Sequence, residues 1–389
     1  MAADGSGGTT RRQALKLCVA GAAAWGLPTL AAPPHDDGAL DEALRLVHDA
    51  EPKCRRGLST HAPMVAEALC ALGLSDRAVA FVRGYGGPIL DLPRPSTPID
   101  RERWRSALGP RPGAASWEDA LVRWGDWKAF LLDELAAARW QDVLDTWVAR
   151  LAPALASAAT HGVIRTSHAA RALSRRDTPE RRGELARGLA YWAAAYEELP
   201  ARARAAAPAA SYADALARVP LHFRIHGRRP SGNIVSGLHQ AGLLPGFADV
   251  RDLAAAPTDA SAALSALTAT FAGVYLRHGT RHDAIAFVHA ITGPSALRRL
   301  APHIRPETAL AAFPYAWQAA AGIYAAYARP DDPPAAAAEP RLSPSELARR
   351  AADNGDDHAI KLTEALLVEH AVRPDPAYLA AAQDAVVRL

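Results

Sequence analysis

The residues best suited to chemistry in this sequence of 389 residues are histidines in patterned segments. His61 follows a Ser-Thr pair and precedes Pro63, a pattern that predicts a helix start, often where a side chain faces a cleft. His289 follows an apolar stretch, which predicts a buried ring that must form hydrogen bonds or bind a metal ion. The residue types alone leave both a structural and a ligating role open for each ring.

A second group of polar residues lies on one predicted helix face. His161 and His168 are seven residues apart, with Arg165 between them. Seven residues make about two helical turns, so these side chains point the same way. They could line a polar cavity, or they could form an ordinary solvated face.

Lysine is rare in this sequence, since only four of the 44 basic residues are lysines. Lys361 lies three residues after His358, the spacing by which one helix presents two ligands to a single metal ion. A protonated lysine is a poor ligand, whereas a lysine carbamylated by CO₂ is an anionic oxygen donor. The plainer interpretation is a surface lysine that forms an ion pair with Glu364.

The N-terminal segment has the features of an export signal. The twin arginine at 11–12 is followed by Leu15, Lys16 and an apolar stretch that ends near Ala32. This pattern resembles a twin-arginine (Tat) signal over residues 1–32, and an amphipathic helix or disordered leader is the alternative. The stretch is too short for a confident membrane span. We therefore expect a periplasmic or extracellular protein with no membrane span in its mature form, or a cytoplasmic one if the leader is not genuine.

The remaining sequence predicts an all-α protein, with residues 33–389 forming one large helical domain. Alanine, leucine, arginine and glutamate dominate, and all are strong helix formers. Apolar residues recur at helical spacing in 40–47, 64–72, 117–130, 140–155, 184–196, 262–276, 284–290 and 359–368. The segment 221–225 is the one fair strand candidate. We expect the helices to line a central cavity for a metal ion and a substrate.

Several functions are excluded or disfavoured by what the sequence lacks. The net charge is only +3 and no basic run occurs, which argues against nucleic acid as a partner. The sequence contains no GxGxxG motif after a strand, no phosphate-binding P-loop, no GxSxG nucleophile motif and no HExxH zinc motif. An enzyme with this sequence would need a metal ion, or a cofactor bound without a familiar motif.

Four segments together resemble the questin oxidase-like family: 60–69, 161–168, 287–294 and 356–361. They keep the family order and span the chain from about residue 61 to residue 378. Fungal members of that family open a ring of anthraquinone-type polyketides with O₂. Some have been described as NADPH-dependent, Baeyer–Villiger-like oxidases, and some relatives look like non-haem iron dioxygenases with histidine ligands and a carboxylated lysine.

The resemblance implies a set of metal ligands in this chain: His61, His161, His289, His358 and Lys361. It implies Fe(II) as the metal, with zinc and manganese as alternatives, and O₂ and a small aromatic molecule as substrates. His168, where many fungal relatives carry an aromatic residue, and Arg165 are then candidate catalytic residues that line the pocket.

Two other functions stay open at this point. The first is an oxidoreductase that uses NADPH at an unrecognised site. The second is an exported helical binding protein without enzymatic activity, in which the histidines are structural polar groups.

Overall fold

Alanine- and leucine-rich segments form helices along the whole described part of the chain in the computed structural model, which confirms the all-α class. The structure describes residues 37–48, 50–54, 58–85, 89–91, 95–110, 123–202, 207–279, 283–334 and 340–389. The predicted signal at 1–32 lies outside these residues.

The N-terminal half contains α1 (Asp37–Leu46), β1 (Ala50–Cys54), α2 (Ala62–Ala71), α3 (Ser75–Gly84), β2 (Ile89–Asp91), α4 (Trp124–Ala137), α5 (Trp140–Leu151), α6 (His161–Arg175) and α7 (Pro179–Ala194). The C-terminal half contains α8 (Tyr212–Ala217), α9 (His222–His226), α10 (Ile234–Gly242), α11 (Ala260–His278), α12 (Ala284–Leu300), α13 (Pro306–Tyr327), α14 (Pro344–Asn354), α15 (Asp357–Val372) and α16 (Pro376–Arg388). Short 3₁₀ turns connect several of them.

The strand expected at 221–225 is wrong. This segment forms the short helix α9, which ends where Gly227 adopts a left-handed conformation with φ of 67° and donates its N–H to the carbonyl of Phe223. A glycine adopts this conformation without steric cost, so it terminates a helix as readily as it begins a turn. The strands that do form, β1 and β2, pair antiparallel in a short ribbon that the sequence patterns did not indicate.

Four helices that carry the predicted site residues pack as a closed ring. Helix α2 contacts α6 and α15, and α12 contacts the same two helices from the other side. Their facing sides are buried, so any polar group on them must find a partner within the protein. This ring places residues that are up to 300 positions apart in the sequence within one small volume.

Glycines allow close approach near the start of α6. A Cβ atom on Gly293 of α12 would lie 2.8 Å from Thr160 Cγ2, and one on Gly162 would lie 2.7 Å from Trp192 Cα. Such distances are too short for any side chain. Gly293 therefore lets α12 pack closely against the segment that leads into α6. Gly162 lets α7 pack closely against the first turn of α6.

Among the described helices, none is both long enough and apolar enough to cross a bilayer.

Candidate metal centre

Four histidines lie at or near helix N-termini that meet at one place. His61 is the residue before α2, His161 is the first residue of α6, His358 is the second residue of α15, and His289 lies in the second turn of α12. Pro63 fits the first turn of α2, and the carboxylate of Asp356 accepts the backbone N–H groups that open α15. Local helix-start signals therefore place these rings.

The four imidazole rings form a closed loop. Ring centroids are 4.8 Å apart for His61 and His161, 4.5 Å for His161 and His289, 5.5 Å for His289 and His358, and 4.8 Å for His358 and His61. Each ring is thus in contact with two others. The structure brings together the four histidines that the sequence analysis singled out as ligands.

An unusual backbone segment presents His161. Ala158, Ala159 and Thr160 all have positive φ angles, of 48°, 55° and 68°. Residues other than glycine pay roughly 1–2 kcal/mol each for this left-handed conformation. The turn that results brings the Ala158 carbonyl oxygen to 2.6 Å from His161 Nδ1. A carbonyl oxygen can only accept, so His161 donates from Nδ1 and its Nε2 carries a lone pair.

The Nε2 atoms of His61 and His161 face each other at 2.7 Å. On its other side, His61 Nδ1 lies 2.7 Å from Asp357 Oδ2, although not along the direction of a hydrogen bond. If the ring hydrogen of His61 is on Nδ1, the lone pair of His61 Nε2 faces the lone pair of His161 Nε2. If the hydrogen is on Nε2, the lone pair of His61 Nδ1 faces the carboxylate oxygen of Asp357. In either tautomer two electron-rich atoms face each other, and a positive charge between them would relieve that contact.

That charge is a proton or a metal ion, and the surroundings disfavour a proton. Burial, followed by the charge of Lys361, lowers the pKa of His61 to about 3. Burial and the neighbouring His289 also hold the pKa of His161 well below its usual value. Three helix N-termini point toward the rings and add to this effect, because their dipoles disfavour imidazolium. Neutral imidazole is the form that binds metals.

The geometry fits a metal ion held by these Nε2 atoms. Two nitrogens at about 2.0–2.1 Å from one ion and at a right angle to each other are about 2.9 Å apart, close to the observed 2.7 Å. His289 Nδ1 is buried and has no hydrogen-bond partner among the described residues. The unpartnered ring nitrogen of His289 and the two facing Nε2 atoms are imidazole nitrogens of the kind that bind metal ions.

Asp357 bridges two of the histidines. Its Oδ2 approaches His61 Nδ1 and its Oδ1 approaches His358 Nδ1, each at 2.7 Å. Burial works against ionisation of this carboxyl, yet the adjacent His61 and His358 keep the pKa of Asp357 well below its usual value. A carboxylate that lies against the Nδ1 atoms of two imidazoles favours the tautomers with the hydrogen on Nδ1 and the lone pair on Nε2. His61, Asp357 and His358 could also hold an ion directly, because their ligand atoms lie within 4.8 Å of one another.

Lys361 lies one helical turn below His358. Its side chain is buried, with 1% of the residue exposed, and Nζ has no hydrogen-bond partner in the part of the chain that the structure describes. Burial lowers the pKa of Lys361 to about 8. The interpretation as a surface lysine paired with Glu364 is therefore wrong, since Glu364 binds Arg171 and Arg299 instead.

A layer of buried charges lies below the histidines in the same ring of helices. Glu67 accepts from His168 Nδ1 at 2.7 Å and from Arg171 Nε at 2.8 Å, while Arg171 and Arg299 both donate to Glu364. Burial, followed by the charge of Arg299, lowers the pKa of His168 to about 4. The structure thus places His168 in this layer and not among the four rings.

Arg165 points away from the histidine cluster. Its guanidinium makes a two-pronged ion pair with Glu184 of α7, at 2.6 and 3.0 Å. Arg165 and His168 share a cavity of only about 10 Å³, barely enough for one water molecule. Their catalytic role stays a prediction, and these contacts favour a structural one.

No protein-family model matches this chain, and a comparison with curated proteins gives no significant match.

The sequence analysis missed two parts of this site. The left-handed turn at 158–160 has no glycine and so carries no sequence signal for its conformation. The charged layer was also missed, although the spacing of Arg165, His168 and Arg171 on an otherwise apolar helix was a usable signal. Charged residues on a buried face predict partners on the helices that cover it.

We expect Asp357→Asn to weaken metal binding about 10–100-fold, because the amide cannot accept from both imidazoles. Competition of purified protein against a chelating dye for Co²⁺ measures this affinity. Asp356→Asn is the matched control, since asparagine also caps a helix and removes the same charge one residue away. Equal affinities for Asp357→Asn and the control would contradict a bridging role for Asp357.

Proposed function

We propose that this protein is a non-haem iron oxygenase that uses O₂ to cleave a ring or a C–C bond of a small aromatic substrate. The observation that carries the metal centre is the closed loop of four imidazoles with two Nε2 atoms facing each other at 2.7 Å. The reaction class comes from the resemblance of four segments to the questin oxidase-like family, whose ligand positions coincide with these four rings and Lys361.

The donor set supports iron. His61, His161, His289 and His358 would hold the ion through imidazole nitrogens, which suit Fe(II) as well as zinc or manganese. Lys361 would supply an oxygen donor as a carbamate. Its unprotonated Nζ bonds to the carbon of CO₂, one C=O electron pair moves to oxygen, and one proton passes to water. The lowered pKa of Lys361, about 8, leaves a useful fraction of the amine unprotonated near neutral pH.

Access to the centre is expected from the side of Asp357. The side chains of Asp357 and His358 are 21% and 14% exposed, whereas His289 on the opposite side is 2% exposed. A surface pocket of about 360 Å³ opens beside Asp357, and Phe81 and Tyr85 form part of its wall. This volume is within the range of small-molecule sites, and aromatic rings suit a flat aromatic substrate.

The protein's own residues have three tasks in such a reaction. The bridging carboxylate of Asp357 holds two imidazoles in position. The hydroxyl of Tyr85 accepts the backbone N–H of His61 and so fixes the start of α2 at the rim of the pocket. The buried walls exclude bulk water from the other sides. A bound iron would supply the activation of O₂, which otherwise reacts slowly with closed-shell organic molecules.

Anaerobically purified wild-type protein should retain about one iron per chain, and His289→Ala should lose it on dialysis because one of the imidazole ligands is gone. Elemental analysis measures the iron, and an oxygen electrode measures O₂ uptake with a panel of hydroxylated polycyclic aromatics. His239→Ala is the control, because His239 lies on the surface and pairs with Glu197.

Two results would contradict the proposal. Metal-free protein that consumes O₂ with these substrates would overturn the role of iron. Iron-loaded protein that consumes no O₂ with any aromatic of the panel would leave a metal centre but overturn the oxygenase assignment.

A further inference from the structure

Three buried nitrogen atoms near the base of the histidine cluster lack acceptors. They are Nζ of Lys361 on α15 and Nε and Nη1 of Arg299 on α12, for which the described residues offer no hydrogen-bond partner. Both residues are 1% exposed. A buried donor without an acceptor costs about 1–3 kcal/mol, and a charged one costs more. Three such donors on two neighbouring helices point to an absent anion.

The carboxylates that act on Lys361 are already in use. Asp357 contacts the two imidazoles, and Asp356 accepts the backbone N–H groups of His358 and Ala359. Glu364 receives Nη2 of Arg299 and also Arg171. Arg299 reaches the neighbourhood of Lys361, because its Nη2 donates to Glu364, which lies three residues after Lys361 on α15. Among the described residues, these carboxylates therefore leave Nζ of Lys361 without an acceptor.

The neighbouring Arg298 does not share this deficit. Arg298 is also buried on α12, yet its Nε donates to Glu369, its Nη1 to Ser261 and its Nη2 to Glu369 and Ser265. Every nitrogen of Arg298 has an acceptor. The protein thus provides a hydrogen-bond acceptor for every nitrogen of the buried Arg298. Two nitrogens of Arg299 have no acceptor among the described residues.

We propose that Arg299 is a positioning residue that holds the carboxylate group of carbamylated Lys361. This inference rests on the proposed function, in which CO₂ adds to Nζ of Lys361 with loss of one proton to water. The carbamate oxygens accept from the guanidinium, and the side chain of Lys361 changes from a neutral amine to an anion. Arginine suits this task because it stays protonated at any pH at which the protein folds.

The test compares wild type, Arg299→Lys and Arg298→Lys, each as full-length protein loaded with Zn²⁺, which is diamagnetic. Titration with ¹³C-bicarbonate, followed by ¹³C NMR of the carbamate carbon, gives the concentration for half-maximal carbamylation. We expect Arg299→Lys to raise this concentration about tenfold or more, the effect of losing one charge-assisted hydrogen bond. Arg298→Lys, whose partners lie elsewhere, should match wild type. Zinc content of Arg299→Lys should recover at saturating bicarbonate.

The outcomes separate this inference from the proposed function. Equal bicarbonate dependence for Arg299→Lys and wild type would overturn the role of Arg299 and leave the metal centre standing. Zinc-loaded wild type without a carbamate signal would overturn the inference and the lysine ligand together. Wild type that binds no metal would overturn the proposed centre itself.

A second measurement covers the case in which Arg299→Lys does not fold. A crystal structure of zinc-loaded wild type should place a carbamate oxygen within hydrogen-bond distance of Arg299 Nε or Nη1. A carbamate that contacts neither atom would overturn the inference.

Discussion

Lys361→Arg should abolish metal binding while the protein stays folded. Arginine has similar length and charge to protonated lysine, so helix α15 keeps its helical propensity and most of its packing. A guanidinium cannot lose its proton or carry a carbamate, so a permanent positive charge would lie beside the four imidazoles. We expect metal content to fall from about one ion per chain to background, and activity to fall with it. Elemental analysis and circular dichroism measure the two effects.

Lys128→Arg is the matched control for this prediction. Lys128 lies on α4, outside the ring of four helices, so this change should leave metal content unaltered. Lys361→Met offers a second comparison, because it removes the charge and keeps an unbranched side chain. It should bind metal weakly through the histidines alone. Full metal content in Lys361→Arg would show that the lysine is no ligand.

Glu364→Gln should destabilise the protein by about 3–5 kcal/mol, the usual cost of removing one partner from a buried ion pair. Its carboxylate receives Arg171 and Arg299, and all three side chains are almost fully buried. The glutamine would leave the buried guanidinium of Arg299 without its carboxylate partner and would leave Arg171 with Glu67 alone. Denaturant unfolding at pH 7, analysed for the free energy of unfolding, measures the loss.

A surface pair gives the control for Glu364→Gln. Glu42 and Arg83 form an exposed ion pair, so Glu42→Gln should change the free energy of unfolding by about 1 kcal/mol or less. A comparable loss in both variants would contradict a special role for the buried layer.

Glu364 should also make the free energy of unfolding depend on pH in the acid range. Burial alone would raise the pKa of Glu364, but Arg171 and Arg299 lower it from 4.5 to about 2. Its contribution is therefore complete above pH 4.5 and is lost as the pH falls toward 2, where the folded state also takes up the proton. Glu364→Gln should lack this decline.

Helix-start chemistry made much of the site predictable from sequence. The Ser-Thr-His-Ala-Pro segment around His61 begins a helix where expected, and the helical periodicity predicted over 359–368 lies within α15. Local signals suffice there because a helix end must satisfy its own backbone N–H groups with nearby residues. The strand expected at 221–225 failed for the opposite reason. A five-residue segment of alternating apolar and basic residues, bracketed by Pro220 and Gly227, is short enough to form a helix as well as a strand.

The partners of each side chain needed the tertiary structure. The plainer interpretation of the sequence paired Glu364 with Lys361 on its own helix, but Arg171 and Arg299 from two other helices bind its oxygens. Pairing across a helix ring depends on which helices are neighbours and on their rotation. Spacing within one helix contains no information about either.

By itself, the sequence determined the all-α class and the helix start at His61, because both follow from propensity, periodicity and capping signals over short segments. Only the tertiary structure decided that these four rings meet in one loop, that Asp357 bridges two of them and that Lys361 is buried without a partner. Those facts depend on the ring of α2, α6, α12 and α15, and on the close approach that Gly293 permits. Contacts between residues that are far apart in the sequence depend on how the whole core packs. No single segment encodes that packing.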